Sequence, residues 1–457
     1  MAGAIEAAYG ERKIIVAAEL AVLYEMARDP WRASEHFLAA AEVASGRFAT
    51  REAVAFAKRG LACLATASDD VERKRRELAL QKALLVPLGV IEGYGAPATE
   101  RVSQRVIELA EQLEDHNSLF AALDGAFVVH LIRGECQAAA RIGERMLAVA
   151  GQSGSVVQEM NARMWAMIVA HHRGELLDAQ RHADACIQLG TPSNQAARLT
   201  TLFDPVVATL VESSRNLWMM GDTRGCRDRT SRAIELAREI RHPDSFSFAL
   251  LFHGWMHGYR EDWETCLRSS AEAIAFGSEH GLVQTMAWNH CVHGWALAQT
   301  GKTADGLVEL QSAIEDSVRI MGQIAMPQFF AMLAEVLMLR GDHARALDEI
   351  QRILTANETR SDRYFNAELH RLAGACHLAL GEPQAAEAAL QQAIETARAQ
   401  GAKTFELRAT TALGRLWADR NEKDRALALL QSVCEVLNDA EETVDVRRAR
   451  ACLMEWS

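Results

Sequence analysis

The chain has 457 residues, 49% of them hydrophobic and 24% charged, with a formal net charge of −12. This apolar share is enough for a buried core and excludes disorder along the whole chain. The 61 acidic residues outnumber the 49 basic ones, which argues against a broad surface for nucleic acid. Nine cysteines without a Cys-x-x-Cys pair are typical of a reducing compartment, and no apolar run reaches the roughly 20 residues that span a bilayer. We therefore expect a cytoplasmic protein without membrane or nucleic-acid contacts.

The N-terminal third, residues 1–115, predicts helices without a regular repeat. Ala27-Arg-Asp-Pro-Trp resembles a turn followed by the start of a second helix. Residues 70–91 begin charged and end apolar, which predicts one helix. Few prolines and glycines, abundant alanine and no strand-like alternation favour helix along the rest of the chain as well.

A repeat of 40 residues organises the next region, residues 116–440. Two early units place Gly134 and Gly174 at this spacing. A small or turn residue followed by a polar one then recurs every 40 residues, and we call these positions the turn markers: Gly221, Glu261, Gly301, Gly341, Gly381 and Asn421. The positions seven before and five after each marker hold small residues. Each unit is therefore predicted to be two closely packed helices joined by a tight turn, and stacking of neighbouring units buries their apolar faces.

Helical hairpins with glycine at the turn and small residues at matched depths resemble tetratricopeptide repeats. The resemblance implies an all-α fold, a right-handed α-solenoid of tetratricopeptide-like hairpins with a period of about 40 residues. The last residues, 441–457, are expected to form a C-terminal capping helix. The predicted organisation is thus 1–115, 116–440 and 441–457.

Longer units of this kind resemble the C-terminal repeat region of bacterial signal-transduction ATPases, which include multidomain class III nucleotide cyclases and LuxR-type or MalT-like activators. Arg51-Glu-Ala-Val, Glu77-Leu-Ala-Leu and Phe405-Glu-Leu-Arg-Ala-Thr-Thr-Ala-Leu-Gly-Arg-Leu-Trp carry this similarity. The resemblance implies a sensor and interaction region whose output module is an ATPase, cyclase or DNA-binding domain. No catalytic motif of such a module occurs in this chain, so we expect no enzymatic activity and no cofactor.

The tryptophans indicate where a partner would bind. Trp255 and Trp295 share the position six before their turn markers, Trp288 stands thirteen before its marker and Trp218 three before. In the proteins that this chain resembles, such positions of the first helix line the concave inner surface. The same surface is expected to carry Arg215, Met219, Leu251 and Tyr259, followed by a more charged stretch with Glu335, Arg371 and Arg415. Exposed aromatic side chains are costly unless something covers them. These rings predict a binding groove, and the alternative that they pack inside the array as core stays open.

Three histidines form a second candidate cluster. His253 and His257 lie four residues apart on one helical face, and His293 occupies the position of His253 in the next unit. Imidazoles on neighbouring helices are able to ligate a borderline metal such as Zn²⁺, although no cysteine or carboxylate is spaced to complete the set. The alternative is that these histidines are half-buried and hydrogen-bonded.

The sequence therefore predicts a non-catalytic sensor and protein-interaction region of a bacterial signalling protein. It would bind a peptide, a protein segment or a small effector in its concave groove. Two alternatives remain: a standalone scaffold for assembling protein complexes, and a metal- or ligand-binding protein that uses the histidine cluster.

Overall fold

The computed structural model describes residues 2–47, 49–65, 67, 70–92, 96–198, 203–436 and 443–457. Within these residues it contains helices and no β-strand. The chain divides into two compact units, unit 1 with Met1–Val129 and Arg145–Ser155, and unit 2 with His130–Glu144 and Val156–Ser457. No helix in the described part of the chain is long and apolar enough to cross a membrane.

Unit 1 is built from the first helices of the chain, and those between Ala2 and Gln112 each contact the next. The predicted helix over 70–91 is confirmed as α5 (Val71–Glu92), and Asp29 caps α3 (Pro30–Gly46) by accepting a hydrogen bond from the backbone N–H of Arg32 at 3.1 Å. Apolar side chains such as Leu20 and Phe37 form its core. The helices are α1 (Ala2–Tyr9), α2 (Ala17–Met26), α3 (Pro30–Gly46), α4 (Thr50–Leu64), α5 (Val71–Glu92) and α6 (Pro97–Gln112), and α7 (His116–Ile132) and α8 (Cys136–Ser153) are shared with unit 2.

Unit 2 holds the regular helical hairpins. Its helices are α9 (Val156–Arg173), α10 (Leu176–Leu189), α11 (Gln195–Arg198), α12 (Pro205–Met220), α13 (Thr223–Ile240), α14 (Pro243–Tyr259), α15 (Trp263–His280), α16 (Val283–Gln299), α17 (Thr303–Met321), α18 (Met326–Leu339), α19 (His343–Arg360), α20 (Asn366–Ala379), α21 (Pro383–Gln400), α22 (Lys403–Asp419), α23 (Lys423–Val436) and α24 (Val444–Trp456). From α12 to α22 each even-numbered helix is the first of a hairpin, and consecutive first helices contact each other.

The turn markers end the first helix of each hairpin. All six have a positive φ, between 59° and 98°, which is the left-handed conformation of a helix C-terminus. Glycine adopts this conformation without steric cost, and asparagine at position 421 tolerates it. Glu261 is the one marker that is neither glycine nor asparagine, and its carboxylate forms an ion pair with Arg448. The 40-residue spacing in the sequence is therefore the spacing of these turns.

Small residues allow close helix crossings, as the sequence predicts. A Cβ atom added at Gly306 on α17 would lie 2.5 Å from the carbonyl oxygen of Gly294 on α16, so these two backbones are in direct contact. Gly254 occupies the position of Gly294 in the preceding repeat. A Cβ at Gly294 would lie 2.8 Å from the backbone nitrogen of Leu310, whereas a Cβ at Gly254 would meet its nearest atom at an ordinary 3.6 Å. The same sequence column thus serves crossings of different tightness.

The first helices of unit 2 close on themselves. Helix α12 contacts α22, although four other first helices separate them along the chain. The hydroxyl of Thr404 donates to the backbone oxygen of Trp218 at 2.5 Å, and the Arg408 guanidinium donates to the backbone oxygen of Tyr259 at 3.1 Å. The first helices therefore surround a common interior.

The predicted fold class, an all-α solenoid of tetratricopeptide-like hairpins, is confirmed. Helix α24 lies within the predicted capping segment 441–457, of which residues 441 and 442 fall outside the described residues. The domain boundaries at 115 and 440 stay predictions.

Candidate functional site

Six of the eight predicted groove residues lie in the packed interior of unit 2 and do not line its main cavity. These are Arg215, Trp218, Met219, Leu251, Trp255 and Trp288, none more than 6% exposed. Their burial is what is expected if these side chains pack inside the array as core. A ligand would contact them only if the surrounding helices moved apart.

Aromatic stacking fills this part of the interior. The ring of Trp218 stacks on Tyr259 with centroids 4.3 Å apart, and Trp255 stacks on Phe329 at 5.5 Å. Trp288 packs edge-on against the same Phe329 ring at 6.0 Å. Because aromatic pairs in these geometries add to the stabilisation from buried area, this region is a structural core.

The guanidinium of Arg215 lies at the centre of this core. It donates to Oε1 of Gln328 at 3.2 Å and forms an ion pair with Glu212 on its own helix. The Cζ atom of Arg215 also lies about 5 Å from the ring centroids of Phe252 and Trp255. Burial acts to lower the pKa of Arg215, but the Glu212 carboxylate outweighs this effect and the pKa is raised. The charge is therefore retained and paired.

Tyr259 and Trp295, the other two predicted groove residues, line an open cavity of about 460 Å³. Side chains from α14, α16, α18, α20, α22 and α24 surround it, together with Trp263 at the start of α15, all within unit 2. Its aromatic wall consists of Tyr259, Trp263, Trp295 and Phe365. Its charged wall includes Glu335, Glu368, Arg371, Arg408, Arg415 and Asp445. This volume is in the range of cavities that hold small ligands.

An ion-pair network forms one side of the cavity. Glu368 accepts from Arg371 at 2.9 Å and from Arg408 at 3.1 Å, and Arg408 also donates to Asp445 at 3.0 Å. Burial acts to raise the pKa of Glu368, but the two guanidinium groups outweigh it and lower that pKa to about 2. The network ties α20, α22 and α24 together.

Glu335 faces the same cavity with a different environment. Its carboxyl accepts a hydrogen bond from the indole N–H of Trp295 at 2.7 Å, and no ion pair of the described residues includes it. Burial raises the pKa of Glu335 to about 7, and the nearby Glu368 carboxylate adds to this effect. Near neutral pH this carboxyl therefore exchanges between its charged and neutral forms.

Two buried donors at the cavity have no hydrogen-bond partner in the described structure. The hydroxyl of Tyr259 is one, and Nε2 of Gln328 is the other. The amide orientation of Gln328 follows from its partners, because Arg215 and Tyr364 both donate to its Oε1. Two further buried donors without a partner, the indole N–H groups of Trp255 and Trp288, do not line the cavity.

The histidine cluster is separated into two hydrogen-bonded groups. Nδ1 of His253 is 3.0 Å from the hydroxyl of Ser269, and His257 donates to Asp262 at 2.9 Å. His293 donates instead to Glu309 at 2.9 Å. In the part of the chain that the structure describes, no three histidine, cysteine or carboxylate side chains are placed to hold a metal ion.

These contacts shift two pKa values near the histidines. Burial lowers the pKa of His253 to about 4, and the neighbouring His257 contributes in the same direction. Burial acts to raise the pKa of Glu309, but hydrogen bonds from His290 and His293 outweigh it and lower that pKa to about 2. The described geometry is that of hydrogen-bonded structural histidines.

Gln328, Glu368 and Arg408 line the cavity and are missed by the sequence analysis, although a signal for them exists. The position thirteen before the turn marker holds Trp288 in one repeat and then Gln328, Glu368 and Arg408 in the next three. The position six before the marker likewise changes from Trp295 to Glu335 and, two repeats later, to Arg415. Both columns are aromatic in the two repeats whose markers are Glu261 and Gly301 and become polar in the next repeat, and side chains at these polar positions line the cavity.

Comparison with known proteins supports the fold. No family model matches the chain. It is 26% identical over 383 residues to an uncharacterized protein of Rhizobium meliloti (strain 1021), an alignment that covers 82% of this chain and 36% of that protein. The chain thus spans about a third of the length of this curated relative.

Two solved structures are similar to this chain. A Rap protein in complex with competence and sporulation factor superposes with a TM-score of 0.54 at 10% identity, covering 80% of this chain and 98% of that one. A signal-transduction ATPase with numerous domains and a tetratricopeptide repeat sensor, from Pyrococcus horikoshii, gives a TM-score of 0.39 at 13% identity, covering 77% and 55%. The chain is a tetratricopeptide-repeat-like array.

Proposed function

We propose that this chain is a non-catalytic sensor and protein-interaction region of a bacterial cytoplasmic signalling protein, and that unit 2 binds its effector in the cavity beside Trp295 and Glu335. The observation that carries the proposal is the cavity of about 460 Å³ that remains between closed first helices, with an aromatic wall facing a charged one. Such a mixture of apolar surface and a few polar groups is typical of sites for small ligands or peptide side chains. The Rap structure, solved with a bound factor, agrees with this class of function.

The geometry suggests how binding would be transmitted. Arg448 on α24 pairs with Glu261, which follows α14, and Arg408 on α22 donates to the backbone oxygen of Tyr259 on α14. The α14 side of the cavity is therefore bonded directly to α22 and α24. An occupant that contacts both walls would change the separation of α14 from α22 and α24. Because each repeat contacts mainly its neighbours, a small change at this closure alters the stacking of the repeats between them. The parent protein's output would respond to that change.

A cavity-filling variant tests the proposal. Ala412 lines the cavity on α22, and Ala385 is an exposed alanine on α21. We expect thermal-shift screening with short peptides and metabolites to yield compounds that stabilise the wild type and Ala385→Leu equally but do not stabilise Ala412→Leu. Stabilisation by a ligand at one hundred times its Kd is about 2.7 kcal/mol, so the loss is measurable.

The proposal of a cavity effector is wrong if every stabilising compound acts on Ala412→Leu as strongly as on the wild type. A scaffold without an effector would give that result while still retaining partner proteins. Circular dichroism of both leucine variants, recorded without ligand, ensures that the comparison is made between folded proteins.

A further inference from the structure

The chemistry of the cavity narrows the class of effector. The Tyr259 hydroxyl and Gln328 Nε2 are buried donors that line the cavity and have no acceptor in the described structure. Tyr259 is 5% exposed and Gln328 is fully buried. Leaving buried donors unpaired is costly, so a group that supplies acceptors to both gains more than an ordinary hydrogen bond.

We propose that the cavity is a site for a small organic carboxylate whose oxygens accept hydrogen bonds from the Tyr259 hydroxyl and the Gln328 amide. This inference rests on the proposed function and specifies the ligand of the same site. The aromatic wall would cover the apolar body of the ligand, and its carboxylate would lie at the two unpaired donors. Carboxylate oxygens are strong acceptors and provide several lone pairs, so one group is able to serve both donors.

The charges around the cavity favour a single negative charge. The ionisable groups that line it are Glu261 after α14, Glu335 on α18, Glu368 and Arg371 on α20, Arg408 and Arg415 on α22, and Asp445 and Arg448 on α24, together with the Tyr259 phenol. Glu368, Asp445 and Glu261 are paired with arginines. Arg415 donates only to the sulfur of Cys452 among its described contacts, at 3.3 Å. When Glu335 is neutral, the arginines exceed the carboxylates by one, and a monoanion balances the cavity.

Glu335 therefore couples binding to protonation. Burial raises its pKa to about 7, and an incoming carboxylate favours the neutral form further. If the neutral form is required, its population falls about tenfold between pH 6 and pH 8, and so does the apparent affinity for a carboxylate. A cationic ligand would show the opposite trend, because it would bind the ionised Glu335 more tightly at the higher pH.

Three probes of nearly equal shape test the ligand class: benzoate, benzamide and benzylamine. Isothermal titration of the full chain at pH 6 and pH 8 is expected to show that benzoate binds most tightly, with an affinity about tenfold higher at pH 6. Tyr259→Phe keeps the ring that stacks on Trp218 and removes only the unpaired hydroxyl. This variant should have a melting temperature no lower than the wild type's, because it removes an unpaired buried donor, and should bind benzoate at least about tenfold more weakly.

Glu335→Gln is the second variant, because glutamine is neutral at both pH values and still accepts from Trp295. It should bind benzoate with equal affinity at pH 6 and pH 8. Preference for benzylamine, tighter benzoate binding at pH 8, or no binding of any probe would each overturn the carboxylate assignment. The thermal-shift comparison of the wild type with Ala412→Leu is independent of these titrations. If a peptide or metabolite stabilises only the wild type while the benzoate tests fail, the carboxylate assignment is wrong and the proposed function still stands.

Discussion

The two ends of one inner wall differ in what fills them. Around Trp218, Trp255 and Trp288 the first helices of unit 2 bury one another's side chains, and these rings do not line the cavity formed by the described residues. Trp295 and Glu335, also on first helices, line this cavity of about 460 Å³. Trp255 in the core and Trp295 and Glu335 at the cavity all stand six before their turn markers, so the repeat pattern alone does not distinguish a core from a site.

The difference comes from the residue types at the positions six and thirteen before the turn markers. Phe248 packs edge-on against Phe252, and Phe252 in turn packs against Trp255, whose ring centroid lies 6.4 Å from that of Trp288. In the following repeats these two positions hold Glu335, Glu368 and Arg408. The Glu368–Arg408 ion pair and the hydrogen bond from Trp295 to Glu335 hold neighbouring helices together without filling the space between them. Neighbouring helices of one array thus bury aromatic rings in one part of their interior and leave a polar cavity in another.

The largest effect is expected from removing the centre of the filled region. Trp255 is fully buried and contacts Phe252, Trp288 and Phe329. Trp255→Ala should lower the free energy of unfolding by about 4 kcal/mol, because the cavity that it leaves is only partly closed by relaxation. Urea denaturation measures this value. A loss below about 1 kcal/mol would show that the region is not a packed core.

Glu368→Gln is expected to cost somewhat less, about 3 kcal/mol at neutral pH, because Arg371 and Arg408 would lose their shared carboxylate. The pKa of Glu368 is lowered from its ordinary 4.5 to about 2, so its stabilising contribution is present above pH 4.5 and is lost as the pH falls towards 2. The stability difference between variant and wild type should therefore shrink over this interval. A difference that is the same at pH 7 and pH 3 would contradict the ion-pair network.

The smallest effect compares equivalent glycines in neighbouring repeats. A Cβ at Gly294 would lie 2.8 Å from the backbone nitrogen of Leu310, whereas at Gly254 the nearest atom is 3.6 Å away. Gly294→Ala should lower stability by about 2 kcal/mol. Gly254→Ala should leave it unchanged or raise it by up to about 1 kcal/mol, because alanine is the better helix former. Thermal denaturation of the pair checks this, and equal effects would mean that the two crossings are equally tight.

The fold follows from local sequence features to a large extent. The 40-residue spacing of Gly301, Gly341 and Gly381 reports the left-handed turns, and the small residues at fixed distances from them report the helix crossings. These are local constraints on backbone conformation and on the distance between adjacent helices, so a single sequence carries them.

The site is less accessible to sequence analysis. Of the predicted groove residues, Tyr259 and Trp295 line the cavity. The sequence pattern does not reveal the contact of α12 with α22, where the Thr404 hydroxyl donates to the backbone oxygen of Trp218, 186 positions earlier in the chain. The repeat pattern describes contacts between neighbouring repeats only. Which part of the inner wall is filled depends on the contact between α12 and α22, and the repeat pattern carries no information about that contact.

Thiol accessibility tests most directly whether one end of the wall is open and the other filled. The variants Ala412→Cys, in the cavity, and Ala385→Cys, on the surface, would be treated with iodoacetamide and their peptides analysed by mass spectrometry. The native Cys291, fully buried and with its pKa raised by burial to about 12, is the internal reference. We expect the thiol introduced at position 412 to react within about tenfold of the rate at position 385, since thiolate formation there is not suppressed by full burial. Protection at position 412 equal to that of Cys291 would contradict the open cavity.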